Sequence, residues 1–181
     1  MKITISGTPG SGKSTVGKLL AKKLGFKHFS IGDFMRELAK DNEMTLDEFS
    51  KKAENSEDID KELDKKSSEL GQKEDNFVID TRLGFYFIPD SFKIKLTVEP
   101  KTGAERIMKA ERKEEKFRTT EEGIKEIKKR MSSERKRYTQ YYGIDIDNEK
   151  NFDMIINTTH KTPEEIVGEI EREIAGRIEK R

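Results

Sequence analysis

The stretch ISGTPGSGKST, residues 5–15, holds three glycines and one proline in eleven positions, with a lysine close to its end. Upstream, KITIS (Lys2–Ser6) has the β-branched, apolar make-up of a short buried strand. Downstream, STVGKLLAKKL reads as a helix, and Gly25 gives it a natural stop. Strand, glycine loop and helix in that order fit the pattern G-x-x-x-x-G-K-[ST], matched by Gly7, Gly12, Lys13 and Ser14. The loop Gly7, Thr8, Pro9, Gly10, Ser11, Gly12, running into Lys13, Ser14 and Thr15, is therefore read as the cradle of a nucleoside triphosphate. Its glycines let backbone N–H groups curl inward as an anion nest, and the following helix adds its dipole. Lys13 reaches the β- and γ-phosphates, and the Ser14 hydroxyl is suited to Mg²⁺.

The rest of the chain alternates in the same manner. KHFSI, NFVID (Asn76–Asp80), KIKLTV (Lys93–Val98) and DMIINT (Asp153–Thr158) are strand-like, with helical stretches between them. Residues 33–73 read as helical pieces, with Thr45 and Glu48 in capping-box spacing. Thr119 and Glu122 repeat that spacing at the start of a long charged helix, and Thr162, Pro163 and Glu165 repeat it at the last one. Ile166, Ile170, Ile174 and Ile178 form the apolar stripe of that last helix. The fold class is α/β: a parallel sheet covered by helices on both faces, with ligands expected at the carboxyl ends of the strands.

At 181 residues the chain is expected to form one domain. Only 31% of it is apolar, but those residues cluster into short runs, which argues against disorder. Lysine plus arginine (37) nearly cancel aspartate plus glutamate (36), leaving a net charge of +1. Interspersed charges of both signs give no footprint for nucleic acid or an anionic membrane. With no cysteine there is no disulfide, thiol nucleophile or cysteine zinc site. His28 and His160 stand far apart and read as structural residues. No signal-peptide pattern or long apolar span is present, so a soluble cytoplasmic protein is expected.

A triphosphate loop alone does not separate a kinase from a hydrolase or a nucleotide switch. Transfer onto a second phosphate needs cations that bring two anions together, and arginine grips phosphate bidentately. Arg36 follows the second strand in SIGDFMR, and Arg82 follows the third in VIDTRLG. Arg130, Glu134 and Arg137 lie at i, i+4 and i+7 of a helix, expected to project from one face. Asp80 ends a strand, a usual place for an acid that holds Mg²⁺ through water. The charged segment about 109–120 suits a lid that brings in Arg106, Arg112 or Arg118.

GTPGSGKST, SIGDFMR and VIDTR together resemble the nucleoside monophosphate kinases. The long segments GDFMRELAKDNEMTLDEFS and SERKRYTQYYGIDI make the chain most similar to archaeal-type cytidylate kinases. The resemblance implies a P-loop fold with a five-stranded parallel core (residues 1–31 and 74–181). It also implies a helical acceptor-binding insertion (about 32–73) and a short lid. It implies transfer of the ATP γ-phosphoryl group to CMP or dCMP with Mg²⁺, by a monomer. Carried over residue by residue, it implies that Asp33, Arg36, Arg82, Arg130, Glu134 and Arg137 serve the acceptor. Lys13, Arg82, Arg130 and Arg137 would act on the transferring group, and Ser14 and Asp80 on the metal.

Three positions depart from related branches. Ile31 replaces an adenylate kinase threonine, Leu83 replaces a base-reading aspartate of bacterial cytidylate kinases, and Thr81 replaces a glycine, which is expected to crowd the acceptor phosphate. Transfer to UMP or AMP, or an ATP-switched regulatory protein, are the competing readings. The clustered acceptor arginines count against a switch.

Overall fold

The computed structural model describes residues 1–44, 48, 49, 52, 57–110 and 117–179. β1 (Lys2–Gly7) lies at its centre. Ile3 and Ile5 are wholly buried, and Thr4 and Ser6 are at most 3% exposed, so the strand is covered on both sides. The two hydroxyls are satisfied inside: Thr4 shares a 3.0 Å hydrogen bond with Ser91, and Ser6 donates to the Thr81 and Arg82 carbonyls at 2.9 and 3.1 Å. That second contact ties the end of β1 to the segment bearing Arg82.

The chain continues through α1 (Lys13–Leu24), β2 (Lys27–Ser30), α2 (Ile31–Asp41), α3 (Glu57–Lys73) and β3 (Phe77–Asp80). It then forms α4 (Gly84–Phe87), β4 (Phe92–Thr97), α5 (Pro100–Lys109) and α6 (Thr120–Tyr142). A 3₁₀ turn (Glu149–Asn151), β5 (Met154–Asn157) and α7 (Pro163–Glu179) complete it. The five strands are all parallel, in the order β2-β3-β1-β4-β5. The chain moves to one side of β1 for β2 and β3 and to the other for β4 and β5. The crevice of such a sheet opens at the carboxyl end of β1, where the glycine loop lies.

One face of the sheet packs Ile3, Ile5, Val78, Ile94 and Leu96 against Val16 and Leu20 of α1 and Ile166, Ile170 and Ile174 of α7. The side chain of Ile178 lies outside the described residues. On the opposite face, Phe77 and Ile79 meet Leu70 of α3 and Ile88. α5 and α6 join through Ala104, Ile107 and Ile127. A separate core sits between α2 and α3, where Ala39, Phe49, Ile59 and Leu63 are buried with Phe34, Met35 and Leu38 around them. Ile31 touches both this core and that of β3, so it marks the seam between the two.

Ser30 ends β2 one residue before the apolar run ends, because its hydroxyl accepts the Asp33 N–H and starts α2. The capping box of α7 is complete: the Glu165 N–H donates to Thr162 Oγ1 at 3.2 Å, and the Thr162 N–H to Glu165 Oε2 at 2.8 Å. At α6 the Thr119 half forms, but the Glu122 carboxylate takes the Arg118 N–H, one residue early. Thr45 lies outside the described residues. So do 111–116, which include Arg112 and half of the expected lid. Among the described residues no helix is long and apolar enough to cross a membrane.

Two loop glycines test how tightly the loop is held. Gly10 (φ +76°) lies against α5, and a Cβ there would stand 2.4 Å from the Gly103 carbonyl oxygen; Gly12 (φ +87°) has nothing within 4 Å. Gly10→Ala is expected to destabilise the protein by roughly 2–4 kcal/mol, combining left-handed strain with a backbone clash. Gly12→Ala is expected to cost only the strain, about 1–2 kcal/mol. Urea unfolding of the two variants checks the difference.

Candidate active site

Lys13 opens α1 and folds back over its own loop. Its ammonium donates to the Gly7 and Thr8 carbonyls, both at 2.9 Å. Burial lowers its pKa well below the ordinary lysine value, and the nearby Arg82 and Arg130 lower it further, against the opposing pull of Asp80 and Glu134. A polyanion entering the loop would reverse that balance. The Thr8 and Ser11 hydroxyls are buried with no hydrogen-bond partner. Polar groups left unpaired in such a place fit a site built around a polar ligand.

Asp80 gathers the second part of the site. Its Oδ1 accepts from Ser14 at 3.2 Å and from Ser30 at 3.0 Å. Its Oδ2 faces His28 Nε2 at 3.2 Å without the alignment of a hydrogen bond, and neither atom has another partner. A buried carboxylate oxygen beside a loop serine suits a hydrated divalent cation: Mg²⁺ keeps several waters and needs one or two protein oxygens. Among the described residues no three His, Cys, Asp or Glu side chains converge.

The third part is a charge cluster around Glu134 of α6. Its carboxylate bridges Arg82, whose Nε lies 2.9 Å from Oε2, and Arg130, whose Nε lies 3.1 Å from Oε1. Arg82 also donates to the Gly7 carbonyl, which fastens it directly to the phosphate loop. Burial would raise the pKa of Glu134, but Arg82, Arg130 and Lys13 outweigh it and hold the carboxyl at about 2. The structure thus brings Lys13, Arg82, Arg130 and Glu134 together beside the loop.

Arg137 does not join them. Three residues past Glu134 it turns to α3, donating from Nη1 to Asp60 Oδ2 at 2.8 Å. The single helical face expected for Arg130, Glu134 and Arg137 is therefore split between two neighbours. Arg36 is paired with Asp33 within α2. Arg106 is engaged at the end of β5, donating to the Thr158 hydroxyl at 3.1 Å and the Thr158 carbonyl at 2.8 Å. Thr158 in turn donates to the Ser11 carbonyl, so Arg106 braces the loop from behind. Arg118 is exposed at the start of α6.

Two departures noted in the sequence resolve. The Thr81 methyl is turned to Gly84, where a Cβ would stand 2.6 Å from it, so it packs inward instead of crowding an acceptor phosphate. Leu83 is 1% exposed in a core with Phe85, Tyr138 and Ile144, so it does not face a base. His28, Ser30, Asp60 and Asp64 are site neighbours that the sequence reading passed over. Only the i, i+4 spacing of Asp60 and Asp64 on one helix was visible without the fold.

A model of the cytidylate kinase-like family matches residues 2–160. The chain belongs to that family. A cytidylate kinase of Archaeoglobus fulgidus is 41% identical over 159 residues, covering 87% of this chain and 86% of that one. An S-adenosylmethionine-dependent nucleotide dehydratase of Lacinutrix mariniflava is 37% identical over 166 residues; the match covers 91% of this chain but 34% of that protein. The fold is also that of a shikimate kinase from Bacteroides thetaiotaomicron, with a TM-score of 0.67 at 19% identity, covering 97% of this chain and 98% of that one.

Two carboxyls carry opposite pH signatures. Glu134 has its folded-state pKa depressed from 4.5 to about 2, so its contribution is complete above 4.5 and is lost as pH falls toward 2. Glu134→Gln leaves Arg82 and Arg130 without their buried counter-charge and is expected to destabilise by about 3–5 kcal/mol near neutral pH. Asp64 is raised from 3.8 to about 6, first by burial and also by Asp60, against the Tyr142 hydrogen bond and the Arg137 charge. Its contribution is present below 3.8 and is lost as pH rises through about 6. Asp64→Asn is therefore expected to raise the melting temperature more at about pH 8 than at about pH 5, as calorimetry at the two values would show.

Proposed function

We propose that the protein is a cytidylate kinase that transfers the γ-phosphoryl group of ATP to CMP or dCMP, giving ADP and CDP or dCDP. The observation that carries this is the position of Arg82, bonded at once to Glu134 and to the Gly7 carbonyl of the phosphate loop. A cation fixed at the junction of two phosphate sites is what transfer between phosphates requires, whereas a hydrolase or switch has no second phosphate to hold.

In this reading the residues from Gly7 to Thr15 hold ATP, with Lys13 released from its carbonyls to the β- and γ-phosphates. Arg36 and Arg82 grip the acceptor phosphate, Asp33 lines its pocket, and Arg137 faces the acceptor nucleotide from α6. Ser14, and Asp80 through water, would hold Mg²⁺, which neutralises charge on the triphosphate when bound. An acceptor phosphate oxygen, already anionic, attacks the γ-phosphorus in line with the bond to the β–γ bridging oxygen. As that bond breaks, the electron pair leaves with ADP, and no general base is needed. Arg82 and Arg130 stabilise the charge that spreads over the transferring oxygens. Glu134 keeps both arginines in place and prevents them from collapsing onto a single phosphate.

ADP release measured with CMP, dCMP, UMP, dUMP, AMP and GMP, each beside an acceptor-free control, tests the reading. Fast release is expected only with CMP or dCMP; release that ignores the acceptor would overturn it. Arg36→Ala is expected to raise KM for CMP by about 10–100-fold with KM for ATP unchanged, since it removes charge-assisted hydrogen bonds to one substrate only. Lys13→Ala is expected to lower kcat by roughly 10²–10³-fold.

A further inference from the structure

The face between α3 and α6 has no part in the phosphate chemistry, yet it is polar and largely enclosed. Arg137 and Asp60 form an ion pair with side chains 15% and 9% exposed. One turn further along α3, Asp64 accepts from the Tyr142 hydroxyl. Tyr142 also meets two rings of α4, with its centroid 5.5 Å from Phe87, edge to face, and 6.0 Å from Tyr86, tilted by 37°. Tyr86 is 47% exposed, one of three large apolar side chains left open among the described residues. α4 begins two residues after Arg82. An exposed ring therefore lies close in sequence to the phosphate-gripping arginine and close in space to a carboxylate-bearing wall.

We infer that Asp60, held by Arg137, reads the 4-amino edge of the acceptor base and excludes uracil. The inference rests on the kinase reading above and supplies the base contact that Leu83, buried in the core, does not make. Cytosine presents an amino donor at C4 and then acceptors at N3 and O2, while uracil presents an acceptor at C4 and a donor at N3. A carboxylate offers only acceptors and a guanidinium only donors. The order along the Asp60–Arg137 pair, acceptor and then donor, matches cytosine at both places and opposes uracil at both. A carboxylate accepts from about four directions, and one bond from Arg137 does not exhaust them.

The pairing also explains why a buried carboxylate and guanidinium persist here before substrate arrives: each compensates the other. Asp60 lies within electrostatic reach of Glu134, so the base edge and the phosphate cluster are neighbours. The exposed face of Tyr86 offers the base a stacking surface. The pair sorts amino from keto bases; it does not sort pyrimidine from purine.

The test pairs a change in the protein with a change in the substrate. kcat/KM is measured for wild type and Asp60→Asn with CMP, with UMP, and with the monophosphate of the pyrimidin-2-one ribonucleoside, which has hydrogen in place of the amino group. Wild type is expected to lose about 10–100-fold when the amino group is removed, and Asp60→Asn to lose less than about 3-fold for the same change. The asparagine amide, now able to donate, is expected to improve UMP relative to CMP by at least about 10-fold. If Asp60→Asn fails to fold, the double variant Asp60→Asn/Arg137→Gln removes both charges together and is read for the same coupling between residue and amino group. Equal losses in wild type and variant on deleting the amino group would overturn the inference while leaving the kinase intact. So would a wild type that uses the amino-free analogue as well as CMP. A wild type that phosphorylates no nucleoside monophosphate would instead overturn the kinase reading itself, and the inference with it.

Discussion

The cluster of cations beside the glycine loop depends on one buried carboxylate. Glu134 is 7% exposed and carries two guanidinium groups and a nearby ammonium, an arrangement that would disperse without it. Three cations beside one loop repel each other, and each also loses hydration by being enclosed. A single anion placed among them lowers that cost and fixes where each fork points. On the proposed reading, the cations then stand ready for phosphate without having to be gathered when it arrives. Pre-organisation of this kind is what makes charge stabilisation effective, because no dipole has to turn during the reaction.

The sheet makes that placement mechanical. β1 and β3 are adjacent and parallel, in register from Lys2 opposite Phe77 to Ile5 opposite Asp80. Their carboxyl ends therefore emerge side by side, one delivering the glycine loop and the other delivering Asp80 and Arg82. Ser6 bonds the Thr81 and Arg82 carbonyls, and Thr158 bonds the carbonyls of Ser11 and Thr97. These short side chains hold backbone to backbone, so the loop is clamped from the β3 side and from the β5 side. Arg106, expected to travel with a lid, is part of this clamp.

How far the sequence revealed this divides along the lines of range. The glycine loop, the Gly25 stop and the Thr162–Glu165 box are contacts within a few residues, and their chemistry is written in consecutive letters. The alternation of strand and helix is nearly as local, and with it came the α/β class. What escaped the sequence was direction. Helical spacing placed Arg130, Glu134 and Arg137 on one side, but the helix meets Arg82 at one level and α3 at the next, so neighbours in the pattern have different partners. His28 looked like filler because its partner, Asp80, lies 52 positions away across two strands. Leu83 and Thr81 looked like altered pocket residues, and only the packing of Tyr138 and Gly84 shows that they point away.

Among the described residues, the core between α2 and α3 and the one on β3 share the side chain of Ile31. Heritable change is consequently partitioned. A substitution at Phe34 or Leu63 is screened by the fit of the insertion alone, whereas one at Ile5 or Leu96 is screened by the whole phosphate machine. On the proposed reading, lineages built on this plan can alter what they accept as a partner for ATP without renegotiating how they hold ATP, provided Ile31 at the seam keeps its size.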